Sequence, residues 1–178
     1  GKRGVKVTVS VSCFVPKAYT PFQWFAQVPQ EEFERRQRLL KESIRDRAIS
    51  FHYHDARASV LEGALSRGDR RLSAVIETAW RNGAKFDGWT DQFKDEVWKD
   101  AFCRCGIAPE FYSRRTRDLE EVLPWAHTSP GVSEDFLRRE WQRAQEAALT
   151  HDCRRETCTG CGVCPELGCD VVDWRGEA

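Results

Sequence analysis

The chain has 178 residues and contains no methionine, not even at its first position. It opens at Gly1-Lys2-Arg3 and runs at once into Val5, Val7, Val9 and Val11. That reads as an internal start, so the chain is expected to be a piece of a longer protein. It also lacks an apolar run of the roughly 20 residues that cross a bilayer, and nothing in it has the layout of a signal peptide. No membrane partner is expected, and the expected location of the parent is the cytoplasm. Charge of one sign is missing too: 28 basic residues meet 28 acidic ones, a formal net charge of zero. No global field therefore steers the chain toward nucleic acid or an acidic surface, and partners have to be argued locally.

What is present allows one compact domain, or a domain with an appendage, since 40% of the residues are apolar and a chain of this size buries a real core. Arginine pairs recur at Arg35-Arg36, Arg70-Arg71, Arg114-Arg115 and Arg138-Arg139. Most are interleaved with Glu or Asp on expected helices, which suits solvated, salt-bridged faces; an RNA-contacting surface is the competing reading.

Alternating and β-branched residues from Val5 to Val15 predict a buried parallel strand, ended by Pro16. A loop rich in aromatic and turn residues follows over 17–30. Pro29 and Glu31-Glu32 then open a helix with Phe33, Leu40 and Ile44 on one face. Ile49, Phe51 and Tyr53 alternate with Ser50, His52 and His54, the pattern of a short strand. Helices are predicted over about 56–66, stopping near Gly68; from an Asp69 cap through Leu72, Val75 and Trp80 to Gly83; from a Thr90 cap to Gly106; and from a Ser133 cap through Trp141 to Ala148. Between the last two lies an irregular stretch with Pro124-Trp125.

Beyond Thr150 the composition turns to cysteine, glycine and charge. Five of the eight cysteines, Cys153, Cys158, Cys161, Cys164 and Cys169, crowd into 17 residues, separated by four, two, two and four others. Such crowding in an intracellular chain points to metal. Two intervening residues let successive thiolates converge, and Thr159, Gly160 and Gly162 allow the tight backbone that turns amide donors toward sulfur. An iron–sulfur cluster held by four of the five is one reading, with Cys153 or Cys169 as the fourth ligand. A structural zinc tetrahedron is the second, and disulfides are the third. Cys103-Arg104-Cys105 is a poor ligand pair and is expected to pack or be incidental; Cys13 is expected to be a buried apolar residue.

The run Phe14-Val-Pro-Lys-Ala-Tyr-Thr-Pro-Phe-Gln-Trp24 resembles the late barrel strand and following loop of radical SAM proteins that carry a cobalamin-binding domain, departing from the family's Pro and His at Ala18 and Tyr19. The resemblance continues through His54-Asp55, Arg67-Gly68-Asp69-Arg70-Arg71, Phe86-Asp87-Gly88-Trp89, Leu123-Pro124-Trp125 and Cys158-Thr-Gly-Cys-Gly-Val-Cys164, and so covers nearly the whole chain. It implies an α/β remnant, the end of a partial TIM-type barrel over 1–48, then a mainly helical extension over 49–150 and a cysteine-rich metal tail over 151–178. It implies an enzyme in which a four-iron four-sulfur cluster on a Cys-x-x-x-Cys-x-x-Cys motif cleaves S-adenosylmethionine to a radical. That motif does not occur here, so the radical-generating centre and a cobalamin-type domain are expected upstream, with the tail's cluster auxiliary. The expected partners are the rest of the barrel and that N-terminal domain. An RNA or ribosome-associated substrate follows only by analogy with radical SAM methylthiotransferases. The alternative function is a non-catalytic, zinc-stabilised helical module that binds RNA or protein.

Lys17 follows the barrel-like strand, where loops at carboxyl ends line active sites, and is a candidate substrate or cofactor contact. His52 and His54, on one strand face beside Asp55, suit metal or substrate binding, against simple strand-end hydrogen bonding. Arg70 and Arg71 suit a phosphate or carboxylate clamp, against helix punctuation around Arg67-Gly68-Asp69. Asp87 in Phe86-Asp87-Gly88-Trp89 suits substrate contact, against locking one helix to another.

Overall fold

The computed structural model describes residues 4–171. Strand β1 (Val7–Val11) leads through the loop to α1 (Gln30–Ser43) and back to β2 (Ile49–Tyr53), which pairs with β1 in parallel, Val7 opposite Ile49 and Val11 opposite Tyr53. Five helices follow: α2 (Ala56–Ser66), α3 (Leu72–Arg81), α4 (Asp95–Arg104), the single-turn α5 (Pro109–Ser113) and α6 (Glu134–Gln145); a last short turn, α7 (Val163–Leu167), lies among the cysteines. The chain divides into two compact units, one of Gly1–Pro16 with Ala26–Thr116, the other of Lys17–Phe25 with Arg117–Ala178. The boundary expected at residue 48 falls between two strands that hydrogen-bond to each other.

In the first unit, parallel pairing across a helical crossover follows from geometry, since two parallel strands cannot be joined by a tight turn. The expected burial of β1 does not hold: Val5 and Val7 are 56% and 48% exposed. Each strand has one partner, and the described residues include no further strand, so side chains that a wider sheet would cover stay accessible. Gln37 of α1 ties the strand ends together, its Nε2 donating to the His54 carbonyl at 2.9 Å and reaching Cys13 Sγ at 3.4 Å. Cys13 is only half-buried, and that burial raises its pKa.

The core of this unit lies among α2 to α5, where Ala64, Leu72, Val75, Ala79, Trp98, Ala101, Phe102 and Tyr112 cluster. Helix α2 starts where the Asp55 carboxylate accepts from the N–H groups of Arg57 and Ala58, the arrangement that satisfies free donors at a helix start. Gly63 is needed in it for close approach, because a Cβ there would stand 2.2 Å from Gln27 Oε1. Gln27 itself is buried and donates to the Ser59 carbonyl at 2.8 Å. At the α2 to α3 corner the Asp69 side chain accepts from the Arg71 N–H at 2.9 Å and from its guanidinium at 2.7 Å, and Tyr112 donates to it at 3.2 Å. Arg67, wholly buried, donates to the Ser113 carbonyl at 3.2 Å. Arg67 is the C-cap of α2, but α3 begins only at Leu72 after Arg71, with no side-chain cap, so Asp69 holds the corner through Arg71 and Tyr112 rather than capping the helix as expected.

Other helix limits differ from expectation too. Helix α4 begins at Asp95 rather than after Thr90, because Gln92 and Phe93 donate to the Trp89 carbonyl in a turn that sends Phe93 onto the core. Helix α6 starts at its Ser133 cap but ends at Gln145, before Ala147 at φ 53°. Helix α5 has Pro109 at its first turn, a favoured place for proline, yet it is too short to show a period in sequence. Three of the four arginine runs hold ion pairs: Arg35 and Arg36 share Glu32, Arg71 meets Asp69, and Arg138 meets Glu134.

In the second unit the aromatic loop wraps its own core. Trp24 is fully buried with Leu123, Leu137 and Trp141, and Phe22 and Phe25 meet the Trp141 ring edge-on at 6.0 and 5.5 Å. The Tyr19 hydroxyl donates to the Trp125 carbonyl at 2.7 Å and the Trp125 indole donates to Gln23 Oε1 at 2.8 Å. Tyr19, one of the two departures from the family's run, thus fastens the loop to the irregular stretch around Trp125.

Candidate functional site

The cysteine module lies in the second unit and is shaped by short polar turns. The Asp152 carboxylate accepts from the Arg154 N–H at 3.0 Å and from its guanidinium at 2.6 Å, turning the chain after Thr150. From Cys158 the backbone doubles back so that the Gly160 N–H points at the Cys158 sulfur, 3.3 Å away. Gly160 and Gly162 hold φ of 68° and 94°, a region that side-chain-bearing residues rarely enter. The Cys161 carbonyl accepts from Ser133 N–H at 2.8 Å, which fastens the loop at the start of α6. Cys164 lies in the first turn of α7, and the Cys169 N–H closes onto the Cys164 carbonyl at 3.1 Å.

This path gathers thiols. The pKa of Cys164 is raised, first by partial burial and then by Cys169, to which its thiol is hydrogen-bonded, and by the charges of Cys161 and Cys158. Four of the five candidate cysteines are therefore electrostatic neighbours. All eight cysteines are free thiols, Cys153 half-buried among them. Among the described residues no three His, Cys, Asp or Glu side chains stand in an arrangement that encloses a single metal ion. As a donor set the four thiols suit a thiophilic metal or cluster, with the Gly160 amide already directed at sulfur. Cys103 is exposed at the end of α4, and Cys105 contacts the Thr78 hydroxyl at 3.7 Å.

The first unit contains a cleft of about 710 Å³ beside the carboxyl end of β2. Tyr53, His54 and Asp55 form one side, one stripe of α2 a second, and Asp87 to Phe93 the third. The α2 stripe is Ala58, Ser59, Leu61, Glu62, Leu65 and Ser66, residues three and four apart that share a helical face, while Ala56, Gly63 and Ala64 are buried. Ser59 is both buried and part of the lining, so α2 meets the cleft along a mixed polar and apolar face. Asp87 accepts from the Trp98 indole at 3.2 Å. Asp55 is engaged as the α2 cap and with Arg57, whose guanidinium is the main cause of its lowered pKa.

Of the residues singled out from sequence, His54 and Asp87 come together in this cleft, whereas His52 is exposed on β2 outside its lining. Arg70 is exposed at the α3 approach, its carbonyl accepting from Ser73. Lys17 belongs to the second unit, exposed at the head of a turn in which its carbonyl accepts from Thr20 at 2.8 Å. Glu62, Leu65 and Phe93 were not anticipated as site residues. The signal that would have found Glu62 is its place in the i, i+3, i+4 stripe from Ala58 to Ser66.

No helix among the described residues is long and apolar enough to cross a membrane. Comparison of the chain with protein-family models, with curated proteins and with solved structures finds no match in any of the three.

Proposed function

We propose that the chain is the C-terminal part of a radical SAM enzyme of the cobalamin-binding-domain type, in which Cys158, Cys161, Cys164 and Cys169 hold an auxiliary iron–sulfur cluster. The observation that carries the metal reading is the spacing of these thiols along one short loop, closed by the Cys169 N–H on the Cys164 carbonyl and fastened to Ser133 through the Cys161 carbonyl. The loop itself supports it. The Gly160 N–H aimed at Cys158 Sγ is the kind of amide-to-sulfur contact through which a protein tunes such a centre. The Arg139 guanidinium, 3.4 Å from the Gly160 carbonyl, puts a positive charge beside a loop that carries thiolate charge once metallated. When bound, the cluster supplies one-electron transfer; the residues of this chain ligate it, orient amides on it and fasten it through the Ser133 N–H to Cys161 carbonyl bond.

The barrel part of the reading is supported by the β1, α1, β2 unit, a parallel pair with a helical crossover, which is the repeating step of α/β barrels. The half-exposed valines of β1 suit a strand continued by others. S-adenosylmethionine and cobalamin would then be held by the other domains of the parent, and an RNA or ribosome-associated substrate stays an extension by analogy.

Protein purified without oxygen should be brown, absorb broadly in the visible, and carry iron and acid-labile sulfide in matching amounts. Colourless protein with one equivalent of zinc would overturn the cluster and support the zinc-stabilised binding module in its place.

A further inference from the structure

The arginines of helix α6 are placed unequally. Arg138 pairs with Glu134 and Glu120, and Arg143 with Glu140. Arg139 turns elsewhere: its guanidinium lies over the Phe136 ring, 5.7 Å from the centroid, and its Nη2 reaches the Gly160 carbonyl at 3.4 Å. Gly160 sits between Cys158 and Cys161, and its own N–H points at the Cys158 sulfur, 3.3 Å away. One residue of the cysteine loop thus faces a sulfur with its amide and a cation with its carbonyl.

The helix holds the tail at further points. Ser133 donates its N–H to the Cys161 carbonyl at 2.8 Å, Arg143 reaches the Leu149 carbonyl, and the Thr150 hydroxyl meets Glu140. All of these residues belong to the second unit. The tail is therefore tied to α6 on both sides of Cys153, which keeps Arg139 beside the loop. A guanidinium laid on an aromatic ring is also pre-organised, so little side-chain freedom is lost in holding it there.

Metal binding gives that placement a consequence. Ligation takes the proton off each thiol, and four thiolates around a divalent cation leave the loop negative overall. A guanidinium held beside it favours the loaded loop over the empty one. We infer that Arg139 is a positioning residue of the metal loop, one that strengthens metal retention by offsetting the charge of the thiolates around Gly160. This rests on the metal reading, and the test below separates the failure of one from the failure of the other.

The test is a titration of the reduced, metal-free 178-residue chain with cobalt(II), read in the thiolate-to-cobalt absorption bands against a competing chelator. Arg139 is exposed, so its replacement should leave the fold in place, which unfolding curves of the metal-free variants check. Arg139→Gln keeps an amide donor for the Gly160 carbonyl but removes the charge. It should bind cobalt roughly threefold to tenfold more weakly at low salt. Arg139→Lys should recover most of that loss. Arg138→Gln removes the same charge from the neighbouring position and should bind within about twofold of the unaltered chain. Raising salt toward ~1 M, where screening acts within about 3 Å, should shrink the deficit of Arg139→Gln. Absence of thiolate-to-cobalt bands in the unaltered chain overturns the metal reading, and the role of Arg139 with it. Unchanged affinity in Arg139→Gln, a Lys variant as weak as the Gln variant, an equal loss in Arg138→Gln or a deficit indifferent to salt each leave the metal reading standing and overturn the role of Arg139 alone.

Discussion

Trp98, buried in α4, donates its indole N–H to Asp87 across 3.2 Å and so pins the loop before α4 to the helix itself. Replacing Asp87 by Ala leaves a buried donor without its acceptor, a loss of about 1 to 3 kcal/mol. Asp87→Asn retains an oxygen and should cost much less. Urea denaturation of the two variants measures the difference; equal losses would mean that the bond contributes nothing to stability.

Metal content should separate the cysteines by place. Cys158→Ser or Cys161→Ser should lower bound metal to a small fraction, because each removes a ligand of the proposed cluster. Cys103→Ser, exposed at the end of α4, should leave it unchanged. Elemental analysis of anaerobically purified variants decides. Metal retained in both members of the first pair would show that other ligands hold it.

The Asp69 corner sets part of the acid limb of stability. The Arg71 guanidinium, above all, holds the Asp69 carboxyl down at about 2, against about 4 for an ordinary aspartate. A depressed folded-state pKa means stability that is fully present above pH ~4 and is lost as pH falls toward ~2, because the unfolded chain takes up the proton first. Asp69→Asn should therefore destabilise at neutral pH, and its deficit should shrink between pH ~4 and ~2. Chemical denaturation across that range reads it out. A deficit that stayed constant down to the lowest pH would place the origin elsewhere, in the helix corner rather than the charge.

Gly63→Ala sets two effects against each other. Alanine favours a helix over glycine by about 1 kcal/mol, but its Cβ would press on Gln27 Oε1 and disturb the buried donation to Ser59. Overpacking of this kind costs about 1 to 3 kcal/mol, so the single variant should be less stable than the parent. Made in a Gln27→Ala background, the same change should stabilise. A double-mutant cycle by denaturant unfolding gives both signs.

Local patterns announced much of this molecule. The Ser133 cap and the apolar spacing from Phe136 to Trp141 suffice to start α6, because a capped amphipathic turn satisfies its own donors and presents one face to bury. Valine alternation announced β1, and Ile49 to Tyr53 announced β2. Burial was not readable in the same way, since it depends on how many strands sit beside β1, a quantity no residue of β1 encodes. The α4 start was misplaced because Thr90 has the chemistry of a cap, while Phe93 gains more by turning onto the core than by entering a helix.

Residue order sets which chemistry is available: thiols at short spacings around glycine, a carboxylate between aromatics in Phe86-Asp87-Gly88-Trp89, and imidazoles at the end of β2. Tertiary structure alone decided which of them meet. It brought His54 and Asp87 into the lining of one cleft while leaving His52 outside. Spacing constrains only neighbours within a turn or two of chain. Residues some thirty positions apart share a site only when packing gains enough free energy to offset the entropy of closing the loop between them.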